Sequence, residues 1–385
     1  MQYQQRIQAI QQVMKDQEID LMYLPLSANL FYVAGIKREL VHGTDHNRYG
    51  DWLCGGYIAQ EGPVKVIAAR MGGKFWLKQA ADRPWISDVE LINEPVEPKM
   101  VLQQVLASFG LENGKHTIAI DDRTWGQFVM GVLGILPETR FVSATAIIAP
   151  MRMIKTAEEL RLMQAASDLT DQVFRNVLPK IKVGMTEFDI ESEIDYQFVN
   201  LGAEYTSFET GVTFWAPENQ VAGASASTEM RRLQYGDSIM FDFGGLVDGY
   251  ASDFGRSAYC GSPTDEYLRV HDTVIRSQAE AMAAMIADQC TAAEANRIAR
   301  KVIEDAGYGD GFGHRLGHGI GVTVHEPPFL DGLDEIVLRE NMVFTVEPSI
   351  VYKNRFANRI EDMVVVTRDG GKPMSMIERE LFIID

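Results

Sequence analysis

The sequence predicts an α/β domain over residues 1–150 followed by an α+β domain over residues 151–385. Three observations carry this expectation. A chain of 385 residues is long for a single core, and an apolar content of 46% is enough to bury two. In the first part, short apolar runs alternate with segments of helical rhythm. In the second, capped helices are mixed with strands and a hairpin turn.

The opening MQYQQRIQAIQQVM spaces Ile7, Ile10 and Val13 as one helical face. LMYLP, from Leu21, is a short apolar run suited to a buried strand, and VKVIAA and HTIAID repeat the pattern. Neither GxGxxG nor GxxxxGK[ST] occurs in this part, so it carries no nucleotide fingerprint. RFVSATAIIAPMRMIKTAEEL crosses into the second domain, with strand character expected up to Pro150. There Thr156 and Glu159 form a capping box, ahead of Leu160, Met163, Val173, Phe174 and Val177 at helical spacing.

Thr186 with Asp189 opens a second helix, with Ile190, Ile194, Phe198 and Leu201 on one face. Thr291 with Glu294 opens another, containing Ile298 and Val302. SIMFDFG reads as a strand, GLVDGYASDFGRSAY as a hairpin turning at Asp248-Gly249, and MVFTVEPSIVY and EDMVVVT as further strands.

A net charge of -18 would repel nucleic acid and anionic membranes. The N-terminus lacks the basic start and apolar block of a secretory leader, and no run of about eighteen apolar residues occurs. Cys54, Cys260 and Cys290 are odd in number and lack CxxC spacing, which fits reduced thiols in a cytoplasmic protein.

Five side chains of metal-ligating type follow one another as Asp242, Asp253, His318, Glu347 and Glu361. A lone carboxylate in the buried strand IMFDF would cost on the order of several kcal/mol, so Asp242 requires a cation. Taken alone, an ion pair with Arg256 would meet that need as well as a metal, and Asp253 alone reads as a turn aspartate. GFGHRLGHGIGVTVHEPP places three of the chain's seven histidines within twelve residues. Gly317 and Gly319 flank His318 and permit close backbone packing around it. Glu347 and Glu361 could each pair with Arg359, but four clustered carboxylates repel one another without divalent cations. The set would therefore hold two such ions with a water between them, and the imidazole favours Mn, Fe, Co or Zn over Mg or Ca.

FDFG, YASDFGRS, GHRLGHGIG with VHEPP, TVEPSIVY and NRIED together resemble the creatinase, prolidase and aminopeptidase P group of metallopeptidases. MIKTAEELRLMQAA is similar to the helix that opens that group's catalytic domain, and LMYLPLSANLFYVAGI to the start of its N-terminal domain. The resemblance implies a C-terminal pita-bread fold behind a creatinase-type N-terminal domain that shapes the site and forms a homodimer. It implies that Asp242 binds one ion through two oxygens, that Asp253 and Glu361 bridge both, and that His318 and Glu347 complete the second. It further implies that His325 and His314 face the substrate, that Glu347 carries the proton, and that Arg359 orients Glu361. Two divalent ions are expected, manganese first, with cobalt, zinc or iron as alternatives.

The activity so implied is cleavage of the amide before proline, as an Xaa-Pro dipeptidase or aminopeptidase, by a hydroxide bridging the metals. One departure bears on this. Peptide-cleaving members carry a histidine upstream of the first metal aspartate, whereas ENQVAGASASTEMRRLQYGD offers Ser225, and no histidine lies between His116 and His271. His42 or His46 of a partner subunit would be a substitute. The departure keeps open a non-peptide substrate, as for creatinase or sulfoniopropionate lyases. A catalytically silent relative is a further alternative, disfavoured by retention of all five ligand positions.

Overall fold

The computed structural model describes residues 2–37, 50–216, 231–353 and 355–385. The chain forms two compact units, Met1–Met151 and Arg152–Asp385.

The first unit is a six-stranded mixed sheet with helices. Its strands are β1 (Leu21–Pro25), β2 (Gly55–Ala59), β3 (Val64–Ala69), β4 (Ile86–Ile92), β5 (Thr117–Ile120) and β6 (Arg140–Ser143), in the order β4-β3-β2-β1-β5-β6. β1 is buried along its whole length because it is central, antiparallel to β2 and parallel to β5. Helices α1 (Gln2–Asp16), α2 (Ala28–Ala34), α3 (Gly73–Ala80), α4 (Pro98–Ser108), α5 (Gly126–Leu133) and α6 (Ala144–Met153) complete the element order of this part. α1 buries Ile7, Ile10 and Met14. Tyr23, Tyr57 and Phe128 form the aromatic centre of one core cluster. Strand character does not reach Pro150: β6 stops at Ser143, whose Oγ accepts the Ala146 N–H at 3.1 Å, and α6 runs on with Pro150 inside it. A serine cap turned the chain into a helix where the apolar run alone suggested a strand.

The second unit begins with two capped helices, α7 (Ala157–Val177) and α8 (Glu187–Asn200). Thr156 with Glu159 and Thr186 with Asp189 form complete capping boxes. Strands β7 (Tyr205–Thr206), β8 (Gly211–Trp215), β9 (Ser238–Phe243), β10 (Gly245–Val247), β11 (Tyr250–Ala251) and β12 (Phe254–Cys260) follow. Asp248 and Gly249 both take positive φ and close the β10–β11 hairpin, in which Val247 faces Tyr250. β9 and β12 instead pair antiparallel in a separate sheet, which puts Asp242 opposite Gly255.

Helices α9 (Asp265–Ala284) and α10 (Ala292–Asp305) come next, the second capped by Thr291. The remaining strands are β13 (Gly317–Gly319), β14 (Glu326–Leu330), β15 (Val343–Val346), β16 (Ser349–Tyr352), β17 (Phe356–Arg359), β18 (Asp362–Thr367), β19 (Gly370–Pro373) and β20 (Phe382–Ile384). β14-β13-β15-β18-β19 form one sheet and β20-β12-β9-β8 another. A backbone bridge between Gly255 and Glu361 joins the two, with Glu361 N–H to Gly255 O at 2.9 Å. Separate clusters of buried side chains serve them: one includes Phe174, Phe198, Phe241 and Phe254, the other Tyr267, Phe312, Phe344 and Ile360. No helix among the described residues is long and apolar enough to cross a membrane.

Candidate metal centre

Each acid of the cluster stands in or beside a strand. Asp242 lies in β9, Asp253 immediately before β12, Glu347 after β15, and Glu361 between β17 and β18. His318 is the middle residue of β13 and is buried. Its strand can approach its neighbours because its flanks are glycine. A Cβ at 317 would collide with the Thr345 carbonyl, and one at 319 would come within 2.6 Å of the Glu326 carbonyl.

Asp253, His318 and Glu361 each offer an atom within 4.8 Å of the other two. His318 Nδ1 lies 3.1 Å from the Gly319 carbonyl oxygen, which can only accept, so Nδ1 carries the hydrogen and Nε2 the lone pair. That lone pair faces Asp253 Oδ2 at 3.5 Å and Glu347 Oε1 at 3.4 Å. Burial pushes His318 down to about 3, so protonation of the ring does not supply the missing positive charge at neutral pH. Thr345 links two members: its Oγ1 accepts the His318 N–H at 3.1 Å and donates to Glu347 Oε1 at 3.1 Å.

Arg359 stands among the acids. It donates to Asp242 Oδ2 and lies 3.9 Å from both Glu347 Oε2 and Glu361 Oε2. Its hydrogen bond goes to Asp242, with Glu361 beyond hydrogen-bond reach. Arg256, the ion-pair partner that the sequence offered for Asp242, instead donates to Asp362 Oδ1 at 2.8 Å. Adjacent β-strand residues point to opposite faces, so Arg256 is turned away from the face that Asp242 shares with Gly255.

Burial raises the Asp253 and Glu361 carboxyls well above the ordinary range, and their acidic neighbours raise them further. Burial also pushes Glu347 up to about 7, against the opposing pull of Arg359. Asp253 Oδ1 and Glu361 Oε2 are buried without a hydrogen-bond partner. A protein does not normally leave buried polar atoms in that condition. Two orphan oxygens, a lone-pair nitrogen and more acids than cations fit a divalent metal with mixed oxygen and nitrogen ligands.

The histidines downstream and upstream are placed differently. His325 is exposed, its ring edge-on to His318 with centroids 4.0 Å apart. His314 is half-buried, with Nδ1 2.6 Å from the Arg315 carbonyl and Nε2 2.5 Å from Ser349 Oγ. Burial holds it down at about 4. Ser225, His42 and His46 lie outside the described residues.

The model of metallopeptidase family M24 matches residues 161–368, and that of the creatinase/prolidase N-terminal domain matches residues 6–154. The chain belongs to metallopeptidase family M24. Among M24 relatives, an Xaa-Pro dipeptidase of Pyrococcus horikoshii is 26% identical over 377 residues, 98% of either chain. One from Lactobacillus helveticus is 37% identical over 273 residues, 70% of this chain and 73% of its own. The crystal structure of a prolidase from Thermococcus sibiricus superposes with a TM-score of 0.88 at 26% identity and full coverage of both chains. The fold is thus that of the creatinase and prolidase group, as the motifs led one to expect.

Two contributors to this M24 site escaped the sequence reading. Thr345 had a signal, since residues two apart in an extended segment share a face and TVE sets it beside Glu347. Gly255 had one too: a glycine inside a strand marks close approach, and a Cβ there would lie 2.9 Å from Glu361 Cβ and Oε2.

Proposed function

We propose that this protein is a metal-dependent Xaa-Pro peptidase that hydrolyses the amide bond before proline, with Asp242, Asp253, His318, Glu347 and Glu361 holding two divalent ions. The observation that carries the metal reading is the pair of buried orphan oxygens, Asp253 Oδ1 and Glu361 Oε2, beside the His318 lone pair. Relatives named Xaa-Pro dipeptidase and a prolidase that superposes over the whole chain favour peptides over the non-peptide alternative. When bound, the ions would polarise a carbonyl and lower the pKa of water.

The chain's own groups divide the remaining work. Glu347, raised by burial, is suited to accept a proton and return it to the leaving nitrogen of proline. Thr345 holds Oε1 of that carboxylate toward His318. His325 is exposed, and burial of part of its ring lowers its pKa, so it meets substrate as a neutral imidazole with one N–H to offer the scissile carbonyl. His314, tied to Ser349 and the Arg315 carbonyl, is the second histidine proposed for the substrate side. Because prolyl nitrogen in a peptide carries no hydrogen, a site for it needs no acceptor at that atom.

Manganese is the proposed native ion, with cobalt, zinc or iron able to satisfy the same oxygen-rich set with one imidazole. A cytoplasmic homodimer is proposed, with residues 1–150 as the dimerising and site-shaping domain and 151–385 as the catalytic one. The three buried free cysteines support the reducing compartment, and the match to the creatinase/prolidase N-terminal domain supports the division. Elemental analysis, then assays on Xaa-Pro dipeptides, longer Xaa-Pro peptides, creatine and dimethylsulfoniopropionate, test the reading. Absence of metal after manganese supplementation would overturn the metal assignment, and turnover of creatine alone would overturn the peptidase one.

A further inference from the structure

Glu326 directly follows His325 in the chain and is buried, yet its carboxylate carries two cations. Lys155 Nζ donates to Oε1 at 2.9 Å, and Arg152 Nη2 donates to Oε2. Against the effect of burial, Lys155 and Arg152 hold this carboxyl below its ordinary value, so it is ionised at neutral pH. Both cations are buried and belong to the second unit, Arg152 in the last turn of α6 and Lys155 two residues beyond its end. One cation would neutralise Glu326. A second, on the other oxygen, fixes its position more than it adds stability, since taking ions out of water offsets much of their attraction.

The same guanidinium also grips the chain on the other side of His325. Arg152 Nη2 donates to Thr323 Oγ1 at 2.5 Å, and that hydroxyl donates to Glu326 Oε2 at 3.2 Å. Thr323 and Glu326 thus both end on Arg152, and His325 lies between them. The backbone around them is held as closely. Lys155 N–H donates to the Asn341 carbonyl at 3.0 Å, Gly321 N–H to that of Thr323 at 3.0 Å, and Ala251 N–H to that of Gly321 at 2.8 Å. Glu326 stands opposite Gly319, and a Cβ at 321 would come within 2.9 Å of Glu326 Oε1. The His325 ring, by contrast, is exposed and meets the His318 ring edge-on. A ring with so little packing of its own takes its place from the backbone that carries it.

We infer that Arg152 is the positioning residue for His325, fixing the imidazole toward the substrate by holding Thr323 and Glu326 on either side of it, with Lys155 closing the clamp. This rests on the Xaa-Pro reading, in which His325 meets the scissile carbonyl. Arginine suits position 152 because Nη2 carries two hydrogens in a fixed plane, one for the Thr323 hydroxyl and one for the Glu326 carboxylate. An ammonium at that place has no such fixed plane for its donors. Catalysis is sensitive to this kind of support, since a donor displaced by about 1 Å can cost on the order of a hundredfold in rate.

Steady-state hydrolysis of alanyl-proline by the metal-loaded wild type, Thr323→Val, Arg152→Met and Arg152→Lys, each also combined with His325→Ala, tests this. Thr323→Val, which leaves both ion pairs of Glu326 in place, and Arg152→Met should lower kcat about 10- to 100-fold with KM and metal content nearly unchanged. Arg152→Lys, which keeps the charge and loses the fork, should fall between. In the His325→Ala background the same substitutions should change kcat by less than about twofold, because no imidazole is left to place. Zinc-loaded protein gives a readout without turnover: the His325 ring resonances should shift and broaden in Thr323→Val while those of His116 and His271 stay where they are. Should Arg152→Met fail to fold, Thr323→Val decides the matter by itself. Equal losses with and without His325, a fall in metal content, or unmoved His325 resonances overturns the role of Arg152 and leaves the peptidase reading standing. A wild type that cleaves no Xaa-Pro compound overturns the peptidase reading, and the resonances then decide whether Arg152 places His325.

Discussion

Gly255 and Glu361 are joined by reciprocal backbone hydrogen bonds, at 2.9 Å and 3.3 Å, across two sheets of the second unit. A side chain at 255 would press on Glu361 from 2.9 Å, so this proposed metal ligand occupies space that a glycine leaves open. Gly255→Ala should displace the Glu361 carboxylate, weaken metal binding by at least about tenfold, and cost about 1–3 kcal/mol through overpacking. Calorimetric metal titration and thermal unfolding check this, and an unchanged metal affinity would show that Glu361 is not held there for an ion.

Glu361→Gln should separate function from stability. At alkaline pH, where the acid has given up its raised proton, removing a buried charge that its acidic neighbours repel should raise the Tm of the metal-free protein. It should also weaken metal binding by about 100-fold or more, beyond the loss usual for a supporting residue. A variant that is both less stable without metal and normal in metal content would contradict this account.

The pH dependence of the metal-free protein follows from the raised carboxyls. Folded Glu347 releases its proton only at about 7, and Asp253 and Glu361 hold theirs well above the ordinary carboxylate range. The unfolded chain has released the same protons by about pH 5. Between these limits the folded state binds more protons, so its stability falls as pH rises. Chelator-treated protein should therefore melt at a lower temperature near pH 8 than near pH 5.5. Adding a divalent cation should restore more stability at the higher pH, where protons no longer compete for the ligands. Scanning calorimetry at both values decides it.

Thr345→Val keeps the shape of a buried side chain and removes the hydroxyl between His318 N–H and Glu347 Oε1. Metal affinity or kcat should fall about 10- to 100-fold, as for other groups that orient ligands. Ser at 345 should rescue most of the loss. Failure of rescue would assign the effect to packing.

His325→Ala should leave metal content unchanged, since the exposed ring meets the cluster through its T-shaped contact with His318. The loss should appear in kcat, by about 10²- to 10⁴-fold for a positioned proton donor. Metal loss in this variant would move His325 from the substrate side to the ion.

Local signals in the sequence were legible because their physics is local. Thr156, Thr186 and Thr291 cap their helices with the N–H three residues on, and Asp248-Gly249 closes a hairpin by its own dihedrals. The apolar run before Pro150 was ambiguous for the same reason, since a run that short fits a strand or a helix and the Ser143 cap decided it. The family, the two-part architecture and the identity of the candidate ligands could all be read from motifs, because residue type dictates which atoms can hold a cation.

Pairing was a different matter. Sequence alone determined that too many acids were gathered for an unaided site, and named Arg256 and Arg359 as the guanidiniums that could answer them. Only the tertiary structure turned Arg256 toward Asp362, set Arg359 on Asp242, and left Arg315 over Phe329 without an acceptor among the described residues. The reason is strand register: which face a side chain leaves depends on how strands far apart in the chain are aligned, and neighbouring residues in one strand point in opposite directions.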